Sequence, residues 1–236
     1  MVERCKWLHD QLAQLHVHRF PFDLDELLPN GIYFFYEKGE MWGHGGDEPR
    51  VVRVGSHTGQ GNLPSRIDET YLLDKQRLHF TRENAKPADR SIFRKNLGRA
   101  FLNRDGDDYL QTWEIDFTTK RNRDLFGLRR DMDAERRLEE SISRLLRDHF
   151  SFRVIAVEAA TERRELEKHL IGTLARCEVC ASSVDWFGRQ SPKRKIREGR
   201  LWQVQNVVAD PIGARDRDAI LRAIGRTAAP ARCLGE

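Results

Sequence analysis

Apolar positions along the chain change period several times, and each change predicts an element. Trp7, Leu8, Leu12 and Leu15 recur at helical spacing and predict a first helix over residues 2–16. PFDLDELLPNG leads into GIYFFYE at Gly31–Glu37, a β-favouring run expected to form a strand. KGEMWGHGGDEP interrupts it with glycines, Asp47 and Pro49, and RVVRVG then alternates from Arg50. Two such runs in succession predict an antiparallel hairpin. SHTGQGN reads as a Gly-rich polar loop, and LPSRIDETYLL as a helix with Pro64 in its first turn. SIFRKNLGRAFL, with Ile92, Leu97, Phe101 and Leu102, predicts another helix, whereas QTWEIDFTT alternates as a strand does. Asp131–Phe150 is the clearest amphipathic helix, with Leu138, Ile142, Leu145 and Leu146 on one face. FRVIAVEAA reads as a short apolar strand and TERRELEKHLIGTLA as a helix capped by Thr161. LWQVQNVV reads as a late strand, RDAILRAIGR as a last helix, and TAAPARCLGE as a loose tail.

This mixed order with a hairpin first indicates an α+β fold. A chain of 236 residues suits one elaborated domain. No apolar run approaches membrane length, and MVERCKWLHD lacks the apolar segment of a secretory leader, so the expected location is the cytoplasm.

Net charge is only +4, so its distribution matters more than its size. Basic residues gather at Lys120, Arg121 and Arg123, at Arg129 and Arg130, and in SPKRKIREGR, which holds Lys193, Arg194, Lys195, Arg197 and Arg200. The last group reads as a loop, either solvated or in contact with nucleic-acid phosphates. Of the four cysteines, Cys5, Cys177, Cys180 and Cys233, the middle two form a CxxC. With His169 the one histidine nearby in sequence, this is half a zinc site, and free thiols in a reducing compartment are expected.

Two charged residues fall where helical periodicity places apolar ones. At about 100° per residue, Leu166, Leu170, Ile171 and Leu174 define a face that contains Glu167. A carboxylate there is a structural salt bridge, a glutamate at the helix edge, or a ligand of a hard cation such as Mg²⁺. Arg66 borders the Leu63–Ile67–Tyr71 face, as a solvated or salt-bridged arginine or as a phosphate clamp.

GIYFFYE, RVVRVG, Arg66 in SRIDETY and Glu167 in E-x-x-L-I together resemble, in order, the core of the GIY-YIG nucleases. Gly31, Ile32 and Tyr33 match the first motif; Arg53, Val54 and Gly55 stand where the second, YIG, belongs. SIFRKNLGRAFL and REGRLWQVQN are similar to stretches of elaborated bacterial members, of the restriction and homing type. The resemblance implies a small antiparallel sheet flanked by helices. It divides the chain into an N-terminal helical segment (1–28), a nuclease domain (29–210) with a helical insertion at about 72–150, and a C-terminal helix and tail (211–236).

It further implies a metal-dependent endonuclease that hydrolyses phosphodiesters of DNA, with RNA left open. Tyr33 would assist activation of the water, Arg66 would hold the phosphate, and Glu167 would ligate one Mg²⁺ or Mn²⁺ per site. A free tyrosine titrates near pH 10, so Tyr33 would need cationic neighbours or a water relay. Arg53, in place of the motif tyrosine, would share a solvent-facing side of the hairpin with Tyr33; some restriction-type members resemble this chain there. His57 is a candidate substitute base or an exposed loop histidine. Thr70 replaces a histidine one turn after Arg66, and the late asparagine is either Gln203 by position or Asn206 by type, with Asn206 the catalytic candidate. Arg94 and Lys95, with Lys193, Arg194, Lys195 and Arg197, are expected to contact nucleic acid. Cutting both strands with one site per chain calls for a homodimer or two encounters. A catalytically silent nucleic-acid-binding protein on the same fold is the alternative, favoured by the changes at Arg53 and Thr70.

Overall fold

The computed structural model describes residues 1–228. In chain order the helices are α1 (Val2–Ala13), α2 (Leu63–Tyr71), α3 (Pro87–Arg90), α4 (Ile92–Arg104), α5 (Leu110–Glu114), α6 (Lys120–Phe126), α7 (Met132–His149), α8 (Ala160–Ala175), α9 (Arg194–Gly199) and α10 (Ala214–Ala228). The strands are β1 (His18–Arg19), β2 (Gly31–Met41), β3 (Pro49–Gly55) and β4 (Phe150–Ala156), in one antiparallel sheet of order β1-β4-β2-β3. The α+β class and the helix-flanked antiparallel sheet are as the sequence predicts.

β2 is one of the two interior strands, and every residue from Gly31 to Glu37 is buried. Its unbroken apolar run follows from this, since helices cover both faces of the sheet. Ile32, Phe34 and Tyr36 pack with Leu8 and Leu12 of α1, Leu166 and Leu170 of α8, and Ile220 of α10. Tyr33 and Phe35 face the other way, into a second core with Ile67 of α2, Phe93 and Leu97 of α4, and Ile142 and Leu146 of α7. Residues 72–150 therefore supply much of one layer of the fold. Between Phe35 and Tyr36 the β2–β3 register shifts, from Phe35↔Arg53 to Tyr36↔Val51. The extra residue is a β-bulge, which increases the local twist of the hairpin.

Several local expectations are corrected. QTWEIDFTT contains the short helix α5 rather than a strand. Its alternating Trp113 and Phe117 are both fully buried, and the ammonium of Lys86 lies 4.9 Å and 4.8 Å from their ring centroids. LWQVQNVV runs beside β3 but is not a strand. The Trp202 N–H donates to the Val52 carbonyl at 2.7 Å, and the next bond to β3 comes from a side chain, Gln203 Nε2 to the Val54 carbonyl at 2.8 Å. SPKRKIREGR holds α9, anchored by buried Ile196, rather than a loop. Thr161 lies inside α8, whose preceding residue Ala159 makes no side-chain cap. Buried Arg163 ties that end down instead, donating to the carbonyls of Val157, Glu158, His57 and Gly59. The tail expected to be loose from Thr227 begins inside α10, and residues 229–236, with Cys233, lie outside the described residues.

Glu37 joins the C-terminal segment to the sheet. Its Oε2 accepts from the indole N–H groups of both Trp186 and Trp202, each at 2.9 Å. Burial pushes its carboxyl up to about 7, against the pull of those two donors. The unfolded chain ionises this group near pH 4.3. Folding therefore retains a proton between the two values, and stability from this group is greatest at acid pH and falls as pH rises towards 7. Glu37→Gln keeps an acceptor for both indoles and removes the ionisation. Its stability relative to the parent should rise by up to about 3 kcal/mol between pH 5 and pH 8, read as the difference in thermal midpoints at each pH. A difference that does not change with pH would refute this account of Glu37.

Candidate active site

At the end of β3, where the chain leaves the sheet, a cleft of about 280 Å³ is lined by residues distant in sequence. Tyr33 comes from β2, Arg53 and Gly55 from β3, Arg66 from α2, Asn96 from α4, Glu167 from α8, and Gln203 and Asn206 from the segment before α10. Ser56 joins them just after the strand.

Tyr33 pairs with Gly55 across the hairpin, and Arg53 pairs with Phe35, so Tyr33 and Arg53 share a face diagonally. A Cβ on Gly55 would collide with the ring and hydroxyl of Tyr33. The glycine is required because the tyrosine ring lies across its backbone. The shared face is buried under α4 and the Trp202 segment, not solvent-facing as predicted: Arg53 is 5% exposed and Tyr33 1%.

Arg53 Nη1 donates to the Trp202 carbonyl and to Gln203 Oε1, both at 2.6 Å. Its guanidinium lies 4.9 Å from the centroid of the Phe93 ring. Burial opposes its charge, while Tyr33 and Glu167 favour it. Arg66 Nη1 donates to Glu69 Oε2 at 3.0 Å and to the Arg90 carbonyl at 2.9 Å, which aims a part-exposed guanidinium at the cleft. Tyr33 favours the charged form of both guanidinium groups.

Glu167 is half-buried, and its Oε2 accepts from Ser56 Oγ at 2.5 Å. Burial pushes its carboxyl above the usual range, opposed by the Ser56 hydrogen bond and by the charges of Arg53 and Arg66. The expectation that Glu167 lies inside the apolar face of its helix is met, since Leu166, Leu170 and Ile171 beside it are buried. A desolvated carboxylate with a hydroxyl alongside suits a hard divalent cation, which takes one or two carboxylates, water and substrate phosphate oxygens. Glu167 and Ser56 are therefore the residues that fit Mg²⁺ or Mn²⁺ here.

The two candidates for the late amide position stand in different surroundings. Gln203 is buried, with its oxygen on Arg53 and its nitrogen on the Val54 carbonyl. Asn206 is exposed at the rim in a left-handed backbone conformation, φ 60°.

His57 does not fit a base or proton relay. Its Nε2 accepts from the Gly31 N–H at 3.2 Å, and its Nδ1 donates to the Gly59 carbonyl at 2.7 Å. Burial, followed by the nearby Arg163 charge, lowers its basicity, so the ring stays neutral with both nitrogens engaged. It fixes the loop to the start of β2, and it is buried rather than exposed.

Arg94 and Lys95 are also corrected. Arg94 is fully buried and bonds Glu139, Ser143 and the Thr70 carbonyl, with its Nε 2.9 Å from Glu139 Oε2. Lys95 Nζ is 2.8 Å from buried Asp89. Arg130, read as part of a basic cluster, is likewise internal, paired with Glu135. The cleft-facing residues of α4 are Ile92 and Asn96, one turn apart. Asn96, which sequence reasoning missed, has its Oδ1 on Arg99 and its buried Nδ2 without a partner. Ser56 was missed too, although it directly follows the Arg53–Gly55 motif. On α9, Arg194, Lys195 and Arg197 are exposed; Lys193 pairs with Glu114 at 2.8 Å.

Arg94→Ala would leave Glu139 buried and unpaired. It should cost about 3–5 kcal/mol in urea unfolding, whereas Lys195→Ala should stay within about 0.5 kcal/mol. Equal effects would contradict the internal assignment of Arg94.

A family model described as "GIY-YIG domain" matches residues 19–229. No curated protein and no solved structure matches the chain.

Proposed function

We propose, for a chain that belongs to the GIY-YIG family of nuclease domains, that it is a metal-dependent endonuclease hydrolysing phosphodiester bonds of DNA. The observation that carries this reading is the meeting of Tyr33, Arg53, Arg66 and Glu167, from four separate elements, in one cleft. Two cations and one desolvated carboxylate there match the charge of a phosphodiester and its metal.

Arg66, part-exposed and braced by Glu69, binds a non-bridging phosphate oxygen and offsets charge as the transition state forms. Tyr33 Oη accepts a hydrogen bond from the attacking water and orients it, and in its phenolate form takes up the water's proton. Arg53, fixed by Trp202 and Gln203, supplies stationary positive charge beside Tyr33 rather than a mobile DNA contact. Glu167, oriented by Ser56, holds the divalent cation. The cation, when bound, stabilises negative charge on the leaving 3′-oxygen. Asn206 and Asn96 offer amides to the substrate at the rim and wall. The exposed cations of α9 supply non-specific phosphate contacts. Among the described residues, no helix is long and apolar enough to cross a membrane.

A second reading, a binding protein that does not cut, is favoured by the engagement of Arg66 Nη1 with Glu69 and the Arg90 carbonyl. Plasmid cleavage with Mg²⁺, Mn²⁺ or EDTA separates the two. Nicking or linearisation should require the metal, and Glu167→Gln should reduce it about 10²–10³-fold or more, with DNA affinity within about threefold. No cleavage with any metal, with DNA binding retained, would establish the silent reading.

Replacing Arg194, Lys195 and Arg197 together with glutamine should weaken DNA binding and reduce the slope of log K against log salt by about 2–3. An unchanged slope would return α9 to an ordinary solvated surface.

A further inference from the structure

A second cluster of metal-binding side chains lies away from the cleft. Cys5 is on α1, His44 is in the loop joining β2 to β3, and Cys177 and Cys180 follow α8. All three cysteines are buried, and none forms a disulfide. Cys5 Sγ is 3.7 Å from Cys180 Sγ, and Cys177 Sγ is 3.6 Å from His44 Nε2. The ligand atoms of Cys5, His44 and Cys180 lie within 4.8 Å of one another.

The 3.7 Å and 3.6 Å separations match two edges of a zinc-centred tetrahedron. With Zn–S about 2.3 Å and Zn–N about 2.0 Å, two bound thiolates stand about 3.8 Å apart, and a thiolate and an imidazole nitrogen about 3.5 Å. Ordinary packing of free cysteines would explain their burial but not the imidazole nitrogen directed into the group. A disulfide between two of the thiols would leave the third thiol and His44 unaccounted for.

His9 lies within the same radius but is not available as a ligand. Its Nε2 accepts from the Val51 N–H at 3.2 Å, so its Nδ1 carries the proton and donates to the Cys5 carbonyl at 3.0 Å. That N–H also stands 3.6 Å from Cys5 Sγ, where it supports a thiolate. Trp42 packs against both imidazoles and covers the group. The hairpin loop rests directly on the CxxC turn: a Cβ on Gly43 would overlap the Val179 carbonyl. Only glycine permits that approach, and it carries the adjacent His44 into place.

We propose that Cys5, Cys177, Cys180 and His44 bind one structural zinc ion. The site fastens α1 and the tip of the hairpin to the end of α8, the helix that carries Glu167. Sequence alone gave only the CxxC, because its two partners stand more than a hundred residues upstream. His169, the nearby histidine, points elsewhere and bonds Asp216 at 3.1 Å.

The test is metal analysis by mass spectrometry of the full-length protein, free of any histidine tag and dialysed against metal-free buffer. About one zinc per chain is expected. Cys177→Ser with Cys180→Ser should bring it below about 0.2, and His44→Gln should weaken retention against a chelator about 100-fold, while His9→Gln keeps the full equivalent. If the double variant does not fold, cobalt exchanged into the parent protein decides. Intense visible bands of tetrahedral, thiolate-rich cobalt, altered by His44→Gln, support the site. Folded parent protein with less than about 0.2 zinc, iron in its place, or a zinc content indifferent to His44 would overturn the proposal.

Discussion

The arrangement of the cleft depends on keeping one guanidinium charged with almost no water around it. Arg53 is held by two neutral oxygens, the Trp202 carbonyl and Gln203 Oε1, and by the face of Phe93. Desolvating a cation is costly, and with the Arg53 Nε buried without a partner, the two Nη1 bonds and the Phe93 face carry the compensation. The Trp202–Gln203 segment must therefore be ordered wherever Arg53 is ordered. Glu37 accomplishes much of that by accepting both indole N–H groups. Gln203 does the rest, with one end on Arg53 and the other on the backbone of β3. A tyrosine at position 53 would make no such demand. Arg53 and the strap across β3 are thus parts of one solution.

The same preference for internal charge recurs away from the site. Arg94 with Glu139, Arg130 with Glu135, Arg50 with Glu40, and Lys86 and Lys95 with Asp89 are all buried pairs. Each makes its removal costly, and none is required for hydrophobic cohesion. Their geometry fixes loops as much as helices. Arg130, for example, collects the carbonyls of Thr81, Arg82 and Asn84 as well as its carboxylate. Arginine suits this use because its planar fork presents several donors at once.

This habit limits what could be read from the sequence. Elements governed by apolar periodicity were legible: the hairpin, the amphipathic α7, β4, and Glu167 on its apolar face. Tyr33, Arg53, Arg66 and Glu167 were legible because each lies in a motif tied to its own element. Arg94 and Lys95 were not, because a one-dimensional pattern cannot distinguish a cation that meets Glu139 from one that meets a phosphate. Ser56 and Asn96 carry no local signature, since their importance comes from what the fold brings opposite them. QTWEIDFTT misled because Trp113 and Phe117 fit an alternating pattern and also a one-turn spacing. LWQVQNVV lies where a strand would, but a glutamine side chain replaces the ladder bond.

The position of the cleft follows from the two-layer packing. Tyr33 belongs to the core shared with α2, α4 and α7, whereas α8, which carries Glu167, packs on the opposite face with α1 and α10. Side chains from opposite faces of a sheet cannot meet through its middle. They can meet where a strand ends, because the chain there no longer separates the layers. β3 ends at Gly55, and the next residue, Ser56, reaches Glu167. Gly55 admits the Tyr33 ring from one side, and Ser56 orients the carboxylate from the other. The end of the second motif is thus a structural junction as well as a sequence landmark, and the carboxylate and the tyrosine converge there because the sheet leaves them no nearer meeting point.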